Sequence, residues 1–157
     1  MSFAYIHLIS NLLPILGPFF GFGVLLYGFL SRSQQVKNAA YFIFIASALG
    51  AIIAYSTGEA AEEMVENIVG ISKSAIDAHE DYGVAALVSG GLLGLLSVAG
   101  ILINRLKPLL NHSISVGLMV VSTITFMLTA WTGHLGGKIR HTEMGAPAGV
   151  TSERNED

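Results

Sequence analysis

Four of the five histidines in the chain, His7, His79, His134 and His141, stand at or near the ends of long apolar runs, with carboxylates close by. Imidazole and carboxylate are the side chains that ligate transition metals, hold haem iron or relay protons. In "GEAAEEMVEN", Glu59, Glu63 and Glu66 recur at spacings of four and three, one stripe of a helix. In "TGHLGGKIRH" and beyond, His134, Lys138 and His141 repeat that spacing, one face if the helix runs past Gly137. "IDAHEDYG" sets His79 and Glu80 at the entry of another apolar run. Singly, each group is ordinary at a wet membrane interface. The set is more informative than any member.

The elements that must position these groups are membrane helices. Of the 157 residues 52% are hydrophobic and 12% charged, with mean hydropathy +0.63, against about 25% charged in soluble domains. Four apolar segments are long enough to span a bilayer: 4–30, 39–58, 82–103 and 113–133. The first lacks a basic start and holds Pro14 and Pro18, so it reads as a retained helix kinked at the prolines and not as a signal peptide. Eighteen glycines, many within the spans, predict closely packed helices. The absence of cysteine excludes disulfides, thiolate metal sites and a covalently attached c-type haem. No internal repeat or second domain is expected, and residues 144–157, "MGAPAGVTSERNED", read as a disordered tail.

Four spans place both termini and the middle connection on one side of the membrane. All 11 carboxylates fall on that side: Glu59, Glu62, Glu63, Glu66, Asp77, Glu80, Asp81, Glu143, Glu153, Glu156 and Asp157. The two short connections on the opposite side, "SRSQQVKN" and "NRLKPLLNH", hold Arg32, Lys37, Arg105 and Lys107 and no acid. Lysine and arginine in short loops set topology, so these connections are assigned to the cytoplasm and the His/Glu rim to the periplasm.

Three chemistries fit such a rim. A b-type haem needs two neutral imidazoles from different helices. His79 and His134 head spans 3 and 4 at similar depth and are the expected pair, with His7 and His141 in reserve. Gly133, Gly136 and Gly137 would let a flat macrocycle approach. Lys138 or Arg140 would pair with its propionates, while Glu63 and Glu80 would orient imidazoles. A non-haem Zn, Fe, Mn or Cu site would draw on Glu59, Glu63, His79, His134 and His141, although no fixed ligand motif is present. A proton or ion path through the membrane is disfavoured, because the span interiors carry hydroxyls such as Ser47, Ser97 and Thr125 but no Asp, Glu, Lys or Arg. Without a cysteine nucleophile or a Gly-x-Ser-x-Gly elbow, a hydrolase is not expected either.

Across residues 3–143, "IHLISNLLPILGPFFGFGVLLYG", "TGEAAEE", "IDAHEDYG" and "HLGGKIRHTE" together resemble a bacterial family of small four-span proteins, the domain-of-unknown-function family numbered 2231. The resemblance implies a four-helix membrane fold and makes the His/Glu rim a family feature, without implying a reaction. Its members typically carry a second, His-x-Pro histidine near the start. Here Leu12 and Leu13 precede Pro14, so that histidine is absent and His7 would have to serve.

The expectation is therefore an all-α, four-helix transmembrane bundle in the bacterial inner membrane, with N- and C-termini on the periplasmic side. Its expected role is that of a b-haem electron-transfer subunit, an oxidoreductase component and not a stand-alone enzyme. Lipid, other subunits of a membrane complex and periplasmic electron carriers are the expected partners; nucleic acid is not. The alternatives are a metal-handling protein using the same rim and a structural subunit.

Overall fold

The structure, a computed structural model, describes residues 3–63, 73–106 and 110–140. They form α1 (Phe3–Ser10), α2 (Leu12–Leu30), α3 (Gln34–Glu62), α4 (Lys73–Leu106) and α5 (Asn111–Arg140). The architecture is all-helical. Four helical segments are long and apolar enough to cross a membrane: Tyr5–Leu30, Gln34–Glu62, Lys73–Leu106 and Asn111–Ile139. The last three outlast the apolar runs that mark them in the sequence, because polar residues extend the helices beyond the hydrocarbon stretch. The tail from 144, together with Glu66, Lys107, His141 and Glu143, lies outside the described residues.

The first span is interrupted one turn before the first proline. Proline at position i has no N–H and crowds the carbonyl at i−4. For Pro14 that carbonyl belongs to Ser10, the last residue of α1; Asn11 separates it from α2. Pro18 lies inside α2 without ending it. The α2–α3 corner turns at Arg32, which adopts a left-handed φ of 54°. Ser33 then caps α3, its hydroxyl accepting from the Val36 N–H at 3.4 Å.

Helices α2, α3, α4 and α5 pack as a closed ring of neighbours, and α1 leans on α3. Small residues set the separations. A Cβ on Gly17 would fall 2.6 Å from Ser47 Cβ, and one on Gly94 would fall 2.6 Å from Ala48 Cβ. Gly90 faces Ala51 and Gly100 faces Tyr41, which fixes the antiparallel register of α3 and α4. Leu25, Ala40, Tyr41, Phe44, Leu93 and Leu118 form the buried core. Large apolar side chains such as Phe42, Leu95, Val120 and Met127 point outward, as a lipid-facing surface requires.

The interior face of α5 carries Ser115, Ser122, Thr125 and Thr129, all buried. Each donates to a carbonyl one turn earlier in its own helix, namely those of Asn111, Met119, Val121 and Thr125. Such back-bonding satisfies hydroxyls within the helix. Links also cross helices: Ser89 and Thr125 share a hydrogen bond of 2.7 Å, and Tyr41 and Ser115 one of 3.3 Å.

One sequence expectation is corrected. Lys37, assigned to a connecting loop, lies in the first turns of α3 and is only 7% exposed. The helix begins at Gln34 because Ser33 caps it there.

Candidate functional site

The site is built from four helices at one end of the bundle. His7 comes from α1 and His79 from α4; both rings are half-buried and meet with centroids 6.2 Å apart and planes at 78°. His7 Nδ1 lies 2.7 Å from the carbonyl oxygen of Ala54 on α3. His79 Nδ1 lies 2.9 Å from the carbonyl oxygen of Thr132 on α5. A carbonyl only accepts, so each Nδ1 must carry the proton and donate. In the neutral rings both Nε2 atoms are then left as bare lone pairs, the state in which imidazole ligates a metal.

The two carbonyls are reachable for the same reason. In a helix the carbonyl at position i is shadowed by the side chain one turn on, at i+4. Here those positions are Gly58 and Gly136. A Cβ on Gly136 would lie 3.0 Å from His79 Cε1, tighter than ordinary contact, and one on Gly58 would lie 3.5 Å from His7 Cε1. Each imidazole therefore docks over a glycine to reach a carbonyl already engaged in its own helix. Gly136 makes room for His79 itself and not for a separate flat group. Gly133 is packed as well, since its Cβ would fall 3.0 Å from Ile15 Cδ1.

The remaining expected residues take other places. His134 is exposed and stacks on Trp131 with centroids 5.4 Å apart. It is two residues from both Thr132 and Gly136, and at 100° per residue this turns it to the opposite side of α5 from His79. Lys138, half-buried, follows His134 by one turn and shares its stripe. Gly137 is half-buried, and Arg140 ends α5 one turn beyond Gly136. Glu59, Glu63 and Glu80 are exposed. Backbone carbonyls orient the imidazoles, the role the sequence suggested for Glu63 and Glu80. Among the described residues no group of three or more His, Asp or Glu is arranged to hold a metal ion.

The depth of the site is marked by aromatics. Tyr5, Tyr55, Tyr82 and Trp131, one from each span, are all exposed and all lie within a few residues of His7, Ala54, His79 or Thr132. Tyrosine and tryptophan concentrate at the headgroup level of membrane proteins. Sequence reading had no means of finding Ala54 and Thr132, because a backbone acceptor has no residue signature.

No family model matches the chain, and neither a curated protein nor a solved structure matches it.

Proposed function

We propose that the protein is a membrane-embedded electron-transfer subunit that holds one b-type haem between His7 and His79. The observation that carries this reading is the matched pair of imidazoles, each fixed through Nδ1–H to a backbone carbonyl, which leaves Nε2 as the lone-pair nitrogen. Two features favour haem over a bare ion. A zinc-type site takes three or four protein ligands, and the described residues supply no third. A porphyrin would bring nitrogens of its own and would need only two ligands from the chain, which His7 and His79 would supply.

His7 and His79, whose ring centroids stand 6.2 Å apart, would be the residues that hold the haem. Helix α1, which carries His7, packs on α3.

The haem would supply one-electron redox chemistry. The chain's own residues do the rest. The Ala54 and Thr132 carbonyls fix tautomer and ring orientation and raise ligand basicity. Tyr5, Tyr55, Tyr82 and Trp131 anchor the site at the interface. The acid-free end with Arg32 and Arg105 faces the cytoplasm, so the imidazole pair faces the periplasm of a bacterial inner membrane. Electrons are exchanged there with carriers or with other subunits of a complex. The second reading is a metal-handling protein that uses the same imidazoles.

The test is the reduced-minus-oxidised absorption spectrum of the full chain produced with ample haem. Six-coordinate, low-spin b-type bands are expected, lost in His7→Ala and in His79→Ala and kept in His134→Ala. A featureless spectrum from the parent protein overturns the reading, and elemental analysis of that sample then decides the metal-handling alternative.

A further inference from the structure

The opposite end of the bundle holds a polar cluster that the haem reading does not use and on which the following does not depend. Lys37 is 7% exposed. Its Nζ donates to Asn111 Oδ1 at 3.2 Å and sits 5.7 Å above the Phe29 ring centre. Asn111 Nδ2 donates in turn to Gln34 Oε1, and Gln34 Nε2 donates to Asn38 Oδ1 at 2.9 Å. Tyr41 and Ser115 close the inner side with a 3.3 Å hydrogen bond.

Two things are missing from this cluster. The first is a counter-charge. Residues 1–58 and 82–142 contain no Asp or Glu, so no carboxylate belongs to this end of the chain. A buried ammonium without an opposite charge is costly. The second is a partner for Asn104. Its Nδ2 and Oδ1 are both buried and both without a hydrogen bond among the described residues. The register brings the two together: Gly100 lies against Tyr41, and one turn further along the antiparallel pair stand Asn104 and Lys37. A stranded cation and a stranded amide therefore occupy the same level of the α3–α4 seam.

We infer that this cluster binds a phosphate group that also carries a hydroxyl. Its anionic oxygens accept from Lys37 Nζ and Asn104 Nδ2, and its hydroxyl donates to Asn104 Oδ1. Hydrogenphosphate has this chemistry, and so does the phosphoglycerol headgroup of an anionic lipid, for which basic pockets between membrane helices are suited. Gln34, Asn38, Asn104 and Asn111 are each half-buried.

The experiment measures thermal unfolding of the detergent-purified full chain. The additives are inorganic phosphate, chloride at equal ionic strength, phosphatidylglycerol or phosphatidylcholine. The expected result is a rise in Tm of about 5 °C near saturation with phosphate, phosphatidylglycerol or both, and none with chloride or phosphatidylcholine. A response to phosphate in lipid-free detergent identifies a free anion as a sufficient ligand; a response to phosphatidylglycerol alone identifies the headgroup. Lys37→Met and Asn104→Leu abolish the rise, whereas Arg32→Gln, at the exposed corner, retains it. Asn104→Leu also covers the case in which Lys37→Met does not fold, because deleting an unpartnered buried amide leaves the ligand-free protein at least as stable. A parent protein indifferent to both phosphates overturns the inference. So does a rise that survives Asn104→Leu, or one that Arg32→Gln removes equally.

Discussion

His79 reaches the carbonyl of Thr132 across the bare backbone of Gly136. The Nδ1–O distance is 2.9 Å, and a Cβ on the glycine would come within 3.0 Å of the ring. The same construction recurs on the other wall, where His7 reaches Ala54 over Gly58 with more room. The imidazole pair is thus positioned by main-chain acceptors that each lie one turn before a glycine.

This asymmetry of space gives the first prediction. By helix propensity alone, Gly→Ala at either position stabilises by up to about 1 kcal/mol. At Gly58 the methyl meets His7 at ordinary contact distance, so Gly58→Ala is expected to be neutral or stabilising and to keep the site. At Gly136 the methyl collides with His79, and displacement of the ring is expected to weaken haem affinity roughly 10- to 100-fold, the usual cost of losing such an orienting bond. Haem titration of the two variants checks this; equal affinities would refute it.

Pro14 carries a second prediction. Pro14→Ala restores the donor for the Ser10 carbonyl and lets α1 run straight into α2. Circular dichroism should show unchanged or greater helicity while the His7–Ala54 bond is lost. The low-spin spectrum would then fall although no ligand has been altered. A variant with the parent spectrum would show that the break after Ser10 does not position His7.

The α3–α4 seam offers a third. A Cβ on Gly94 lies 2.6 Å from the Ala48 Cβ, an atom held by backbone that cannot swing aside. Gly94→Ala is expected to cost about 1–3 kcal/mol by overpacking, with Ala48→Gly restoring much of the loss. Gly117→Ala, which meets nothing within 4 Å, is the control and should cost nothing. Unfolding in detergent measures all three.

A double-mutant cycle on Ser89 and Thr125 tests what the buried hydroxyls are worth. Interhelical hydrogen bonds in membranes average about 0.6 kcal/mol, because the separated helices also find partners. Ser89→Ala, Thr125→Val and the double variant should therefore return a coupling near that value. A coupling above about 2 kcal/mol would mark this pair as a principal clamp between α4 and α5.

Much of the molecule follows from local chemistry and was legible in the sequence. Four long apolar runs demand four helices, because backbone polar groups in hydrocarbon must be satisfied within each segment. The clustering of all acids and most histidines toward one set of ends is likewise a property of the sequence order. Which histidines meet was not legible. His79 and His134 stand at similar depth, but rotation about α5, fixed by packing of its Thr132 and Gly136 stripe, turns His134 outward onto Trp131. Helix α1 leans on α3, and His7 meets His79. The burial of Lys37 and its level with Asn104 came from helix register in the same way. Sequence sets the length and polarity of each helix. Its rotation and register depend on side-chain contacts between segments far apart in the chain, and only the tertiary structure decided those.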